Sequence, residues 1–273
     1  MIKRCQALLG TFVEISTEQD NHQVVNEAFS AVKLVQDLMN FHNPLSELNQ
    51  INRWAHQVSL EIHPWSAEVL SIAQEMHRQS DGLFNCGIGH RLVSAGLLPR
   101  HIDLSRHQLG GIEDVHFRGS QLIQSSKPLC LDLGGIAKGF AVDKAVESLI
   151  SNGVESGCVN AGGDLRVFGK SPSSVQIRNP SLPSQLIDIG SLQNGAIATS
   201  GLYFVNRDQQ QSHIINPFAQ DESEVHINFS GSYSVIAKEC AYADALTKVL
   251  ALSGEYDHPC FNYFSAQAIR ISI

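Results

Sequence analysis

Hydrophobic and polar positions alternate along the chain with two periods, one typical of helices and one typical of strands. Residues 7–15 end in a strand-like alternation. Apolar residues then recur every three or four positions in a segment that Asp20 or Asn21 can cap, which predicts an amphipathic helix. A second helix is expected to begin at Pro64 and to stop before Gly82.

The second half of the chain gives the clearest signals. An apolar strand end at 129–131 precedes Gly134-Gly135 and a helix that Asn152-Gly153 closes. A hairpin is expected over 154–168. Strands mixed with helices in this way predict an α+β fold with mixed or antiparallel sheets, built as a single compact unit over residues 1–273. The other predicted elements are a polar segment over 46–52, short strands near 115–118 and 121–124, strands at 186–189, 195–198 and 232–237, a helix over 241–252 and a final strand.

Composition narrows the class of protein. The chain has 273 residues, of which 43% are hydrophobic and 17% charged, enough to bury a substantial core. The net charge of −8 argues against sequence-independent binding to nucleic acid and against binding to anionic membranes, so neither is expected as a partner. Six cysteines without a CxxC pair favour a reducing compartment. With no segment resembling a signal peptide or a membrane span, a cytoplasmic location is expected.

A glycine-rich segment between a predicted strand and a predicted helix is the first candidate for chemistry. Its sequence, residues 134–139, reads Gly-Gly-Ile-Ala-Lys-Gly. Backbone N–H groups and the helix dipole at such a position favour a phosphate, although the segment is not a Walker A loop. A tight strand-to-helix turn is the alternative interpretation. The positive charge of Lys138 favours anion binding over a simple turn.

Four further segments carry polar groups that could face a ligand. The paired glycines of residues 160–164 could expose backbone to a ligand, or simply make a hairpin turn. Thr199-Ser200 supplies hydroxyls. His213 could transfer a proton at neutral pH, although one histidine among the 12 of this chain usually has a structural role. Asp244 lies in an apolar helical segment, where a carboxylate is costly unless it is exposed, hydrogen-bonded or bound to a metal. Its alternative role is a surface i,i+4 pair with Lys248.

Taken together, the order of these motifs resembles the bacterial FAD:protein FMN transferase family, the ApbE-like flavin transferases. The resemblance covers most of the chain and leaves 83–131 weakly matched. The motifs that carry it are Leu9-Gly10-Thr11, Ser46 to Asn52, Leu131 to Asp143, Asn160 to Asp164, Thr199-Ser200-Gly201, His213 to Pro217 and Ala243 to Leu246.

The resemblance implies a T-fold-like α+β arrangement, FAD as substrate and Mg²⁺ as cofactor. Members of the family cleave the FAD pyrophosphate and attach FMN by a phosphoester to a Ser or Thr of an acceptor protein. By the same resemblance, the metal would be held by Asp244 and the backbone oxygen of Ala137, with Thr247 as a substitute ligand, and His213 would deprotonate the acceptor hydroxyl, with Asp244 as the other catalytic residue. The residues expected to bind FAD are Ser46, Asn52, Gly134, Gly135, Ala137, Lys138, Asp143, Asn160, Gly162, Gly163, Asp164, Thr199 and Ser200.

Several positions depart from the family pattern. Lys248 stands where the family has a metal-binding Thr, four residues after the helix Asp. Thr247 is adjacent, but one residue along a helix rotates a side chain by roughly 100°. Asn216 and Leu202 replace two Asp residues, and Leu9 replaces a Met. These departures predict a transferase with a weakened or altered metal site. The alternatives are an FAD-binding protein without transfer activity and an FAD pyrophosphatase that releases FMN and AMP.

Overall fold

The computed structural model describes residues 1–102, 109–179, 182, 184–201, 214–219 and 232–269. The chain divides into two compact units. The first unit comprises Met1–Gln36, Ile136–Gln210 and Phe229–Ile273, and the second comprises Asp37–Gly135 and Gln211–Asn228. The chain therefore passes between the units four times, and no single linker separates them.

Helices and strands alternate irregularly along the chain. The helices are α1 (His22–Met39), α2 (Glu47–Trp54), α3 (Pro64–Gln79), α4 (Gly89–Ser94), α5 (Ala137–Ser151), α6 (Cys240–Ser253) and α7 (Pro259–Tyr263). The strands are β1 (Ile2–Leu8), β2 (Thr11–Thr17), β3 (Leu60–Glu61), β4 (Val115–Phe117), β5 (Leu122–Ser125), β6 (Gly157–Ala161), β7 (Asp164–Phe168), β8 (Ser173–Arg178), β9 (Leu186–Leu192), β10 (Gly195–Gly201), β11 (Ser232–Ala237) and β12 (Gln267–Ile269).

The first unit is built on a seven-stranded sheet of order β1-β2-β6-β7-β10-β11-β12, with a separate β8-β9 hairpin. Every described pairing in this sheet is antiparallel. Helices α5 and α6 pack against each other and against its central strands. Both helices are apolar on nearly all sides, as expected for helices inside a core. Polar groups on them are therefore held between helix and sheet.

The second unit contains the three-stranded sheet β3-β5-β4 and helices α2, α3 and α4. Helix α3 begins with Pro64 at its first turn and ends before the left-handed Gly82, as predicted. Strands β4 and β5 also lie where the sequence placed them. Among the described residues, no helix is both long enough and apolar enough to cross a bilayer.

Most predicted boundaries are confirmed because local signals set them. The Asn21 side chain accepts a hydrogen bond from the Val24 N–H at the start of α1. Gly153 (φ +80°) and Gly254 (φ +68°) take the left-handed conformation that follows α5 and α6. The α+β class with antiparallel sheets is confirmed. The expectation of a single compact unit is refined by the two interleaved units, and the domain boundaries 1–273 stay a prediction.

The strand end predicted at 129–131 was wrong, and the polar segment 46–52 was predicted without a secondary structure. Residues 129–131 do not form a strand end, and only Leu129 makes an isolated bridge, with Gly110. The Asn52 side chain and the Cys86 carbonyl hold the backbone there instead. The polar segment 46–52 is largely helix α2. Its buried face includes Asn49 and Asn52, so the hydrophobic pattern did not reveal a helix.

Candidate functional site

Lys138 lies in the first turn of α5, between two aspartates from other elements of the first unit. Its ammonium contacts the Asp164 carboxylate at the start of β7. It also lies 3.7 Å from Asp244 Oδ2, which belongs to α6. The same Oδ2 accepts a hydrogen bond of 3.0 Å from the Gly139 N–H. Asp244 thus satisfies one of the free N–H groups at the start of α5.

The three charged groups differ in exposure. Asp164 and Asp244 are 3% and 1% exposed, whereas the Lys138 side chain is 36% exposed. Burial acts to lower the pKa of Lys138, but the charges of Asp164 and Asp244 outweigh it and raise that pKa. Burial raises the pKa of Asp164. Burial also acts to raise the pKa of Asp244, but Lys138 and Lys248 outweigh it and hold that pKa below its usual value. Lys138 is therefore a fixed positive charge that reaches solvent.

A second ammonium reaches Asp244 from within its own helix. Lys248 Nζ contacts Asp244 Oδ1 and accordingly lies in the interior, with 17% of its side chain exposed. It also donates a hydrogen bond of 2.9 Å to the Asp244 carbonyl. The predicted i,i+4 pair is present, but it joins a buried carboxylate and is not a surface pair.

Thr247 points in a different direction from Lys248. Its hydroxyl donates to the Asp244 carbonyl at 2.7 Å and lies 2.7 Å from Ser200 Oγ on β10. The side chain is fully buried. Thr247 therefore fastens α6 to the sheet, with its hydroxyl on the Asp244 carbonyl and Ser200 and not on the Asp244 carboxylate. This is the outcome expected from a one-residue rotation along a helix.

The turn between β6 and β7 is shaped by its own side chains. Asn160 Oδ1 accepts a hydrogen bond of 2.9 Å from the Gly163 N–H. Gly162 has φ +65°, and a Cβ there would lie 2.5 Å from Thr11 Oγ1, so only glycine fits. The turn places Asp164 in contact with Lys138. Residues 160–164 therefore form a hairpin turn and also contribute Asp164 to a charged cluster, which consists of Lys138, Asp164, Asp244 and Lys248.

Strand β10 adds hydroxyl groups to this cluster. The Thr199 N–H donates to Asp164 Oδ1 at 3.3 Å, and its hydroxyl lies 2.8 Å from Ser234 Oγ. Ser200 reaches Thr247. The structure thereby brings together, within the first unit, most of the residues that the sequence singled out, namely Ala137, Lys138, Asp143, Asn160, Gly162, Gly163, Asp164, Thr199, Ser200, Asp244 and Thr247.

Asp143 has a different environment, which the sequence did not reveal. It accepts hydrogen bonds from Arg166 Nη1 at 2.7 Å and from the backbone N–H groups of Cys240 and Ala241 at 2.9 and 2.8 Å. The N-cap residue Glu239 makes no side-chain capping bond, so Asp143 caps α6 from the neighbouring helix. Burial raises the Asp143 pKa to about 6, against the opposing effects of Arg166 and the two N–H groups. Its contact with FAD stays a prediction. Sequence reasoning missed Arg166, because nothing in a strand pattern indicates a partner in a helix.

Four other predicted binding residues belong to the second unit. Ser46 caps α2 by accepting the Asn49 N–H at 3.3 Å. Asn52 donates to the Leu131 carbonyl at 2.9 Å and accepts its N–H at 2.7 Å. Both side chains are 2% exposed, so these hydrogen bonds give them structural roles. Gly134 is exposed and Gly135 is half-buried.

The predicted base, His213, lies outside the described residues. Asn216, three residues later, is described. Its side-chain oxygen accepts the Phe218 N–H at 3.0 Å, as in an Asx turn. The role of His213 stays a prediction.

Comparison with known proteins decides the family. A family model described as ApbE family matches residues 9–261, which is most of the chain. The chain belongs to the ApbE family. It is similar to a protein of Vibrio cholerae named FAD:protein FMN transferase, with 27% identity over 253 residues, covering 86% of this chain and 75% of that protein. A protein of the same name from Chlamydia trachomatis is 30% identical over 239 residues, covering 79% of this chain and 71% of that one.

The fold is also similar to a solved ApbE structure. The flavin transferase ApbE from Vibrio cholerae superposes with a TM-score of 0.81 and 25% identity, covering 98% of this chain and 92% of that chain. The predicted family is confirmed. The similarity extends over both units.

The ApbE resemblance implies magnesium, and the residues beside Asp244 do not fit it. Lys248 occupies Oδ1 of the carboxylate, while the Gly139 N–H and Lys138 face Oδ2. Thr247 turns towards Ser200. Within the described part of the chain, no three His, Cys, Asp or Glu side chains are grouped to hold a metal ion. A divalent cation could reach this carboxylate only if Lys248 left it.

Proposed function

We propose that this protein is an FAD:protein FMN transferase, which attaches FMN to a Ser or Thr of an acceptor flavoprotein. The observation that carries the proposal is the match to the ApbE family over residues 9–261, together with relatives named for this activity. The charged cluster at the start of α5 supports it, since the reaction takes place at a pyrophosphate.

The reaction needs a positive charge beside the phosphates. The acceptor hydroxyl attacks the phosphorus on the FMN side, a new P–O bond forms, and the bond to the AMP phosphate breaks. Lys138 has a partly exposed side chain at a helix N-terminus, where its ammonium would stabilise the charge that develops on AMP. The 160–164 turn and Asp164 would hold this lysine in place. Magnesium, if it takes part, would bind elsewhere or after Lys248 has moved.

The first test is a transfer assay with intact-mass detection. The protein is incubated with FAD and a candidate acceptor, with magnesium and separately with EDTA. We expect the acceptor mass to increase by one FMN, with AMP released in equal amount. FMN and AMP without an adduct would indicate a pyrophosphatase. Binding of FAD without either product would indicate a flavin-binding protein, which the engagement of Asp244 by Lys248 favours as the second candidate.

A second prediction concerns His213. We expect His213 to be the base that deprotonates the acceptor hydroxyl. The variant His213→Ala should therefore lower the transfer rate by about 10²-fold or more and leave the FAD dissociation constant nearly unchanged. Stopped assays and flavin fluorescence titration measure the two quantities separately. An equal loss of both would give His213 a binding or structural role instead.

The cellular location follows from weaker signals. All six cysteines are free thiols, and Cys86, Cys130, Cys240 and Cys260 are buried. Free thiols suit a reducing compartment, so a cytoplasmic location stays our prediction. The acidic net charge supports an acceptor protein as partner rather than nucleic acid or an anionic membrane.

A further inference from the structure

The carboxylate of Asp244 has three partners, which are two lysine ammonium groups and one backbone N–H. Lys248 faces Oδ1, and Lys138 with the Gly139 N–H faces Oδ2. Asp244 is 1% exposed, so these contacts take the place of solvent. Both oxygens are therefore satisfied by the protein itself.

The charges of this cluster balance. Lys138 and Lys248 supply two positive charges, and Asp164 and Asp244 supply two negative ones. In the absence of FAD, a divalent cation added beside Lys248 would leave the cluster with two uncompensated positive charges at short range. The charged cluster is therefore neutral without FAD, and no further cation is needed to balance its charge.

Lys248 is also fixed by geometry. Its Nζ is anchored twice on one residue, at the carboxylate and at the carbonyl oxygen of Asp244, 2.9 Å away. Only 17% of its side chain is exposed, so the stem does not extend outward to solvent. The hydroxyl of Thr247, the predicted substitute ligand, instead hydrogen-bonds to the Asp244 carbonyl and to Ser200.

We propose that the Lys248 ammonium takes the place of a divalent cation beside Asp244, so that this protein binds the FAD pyrophosphate without a divalent metal. The inference rests on the proposed function for the identity of its ligand. Lys248 acts as a positioning residue: it neutralises Asp244, so that the ammonium of Lys138, held by Asp164, is the charge that faces the phosphates. The Lys138 side chain is 36% exposed, against 17% for Lys248.

The test compares FAD binding in magnesium and in EDTA. For the native protein, the FAD dissociation constant from fluorescence titration should differ by less than about 3-fold between the two conditions. In Lys248→Thr, a hydroxyl replaces the ammonium and Asp244 Oδ1 is free for a metal. FAD binding by this variant should become metal-dependent, weaker by about 10-fold or more in EDTA.

A second measurement uses Mn²⁺ alone and needs no FAD. Electron paramagnetic resonance should detect no bound Mn²⁺ in the native protein and one Mn²⁺ per chain in Lys248→Thr. Lys248→Met keeps the stem but has neither charge nor oxygen, and it should bind FAD more weakly in both conditions. Lys170→Thr changes an exposed lysine of the same unit and should behave as the native protein.

Two results would overturn the inference. One is a native protein that binds FAD about 10-fold more weakly in EDTA, or that holds one Mn²⁺ per chain. The other is a Lys248→Thr variant with a native circular dichroism spectrum that gains no Mn²⁺ site. If the native protein binds no FAD in either condition, the proposed function fails, and the Mn²⁺ measurements still decide the role of Lys248.

Discussion

Replacing Asp143 with alanine should lower the free energy of unfolding by about 3–5 kcal/mol, the range found when one partner of a buried ion pair is removed. Arg166, with 18% of its side chain exposed, would lose its carboxylate. The N–H groups of Cys240 and Ala241 would lose their only side-chain acceptor in the described structure. Since these N–H groups begin α6, the start of that helix should loosen.

Urea unfolding followed by circular dichroism measures this effect. Asp143→Asn keeps an oxygen acceptor but loses the charge, so it should be destabilised by less than the alanine variant. Asp257→Ala, at an exposed aspartate of the same unit, serves as the control and should change stability by no more than about 0.5 kcal/mol. If Asp143→Ala behaves like this control, Asp143 does not hold α5 to α6.

The second large effect is expected at Gly139, where α5 lies against the start of α6. A Cβ at Gly139 would lie 2.2 Å from the Cys240 carbonyl oxygen and 2.8 Å from the Ala241 nitrogen. Because these are backbone atoms, they cannot turn aside as a side chain would. Gly139→Ala should therefore push the helices apart, at a cost of about 3 kcal/mol or more. The shift should also break the bond from the Gly139 N–H to Asp244.

Thermal unfolding and FAD titration together test this prediction. Gly139→Ala should lower the midpoint of unfolding and weaken FAD binding. Gly119→Ala is a matched control, because its new Cβ would lie 3.8 Å from Leu122 Cβ, an ordinary contact, and its φ is not left-handed. A Gly139→Ala protein as stable as Gly119→Ala would mean that α5 and α6 tolerate a wider spacing.

The helix boundaries show why some elements could be predicted from the sequence and others could not. Asn21, Pro64, Gly153 and Gly254 act on the backbone within a few residues of themselves, so a sequence pattern contains all the information needed. Helix α2 was missed because its buried face carries Asn49 and Asn52. Their hydrogen-bond partners include Phe41 and Leu131, which a periodicity argument does not see.

By itself, the sequence determined the family, the α+β class and most helix and strand positions, and it singled out Lys138 and Asp244 as candidate site residues. These follow from local backbone preferences and from motifs in a fixed order. Only the tertiary structure decided how the charges pair. The direction of Lys248 and Thr247, the capping of α6 by Asp143 and the partnership of Asp143 with Arg166 depend on which side chains meet across helices and strands far apart in the chain. The desolvation cost of a buried charge is offset by such neighbours, and a pattern along the sequence does not identify these neighbours.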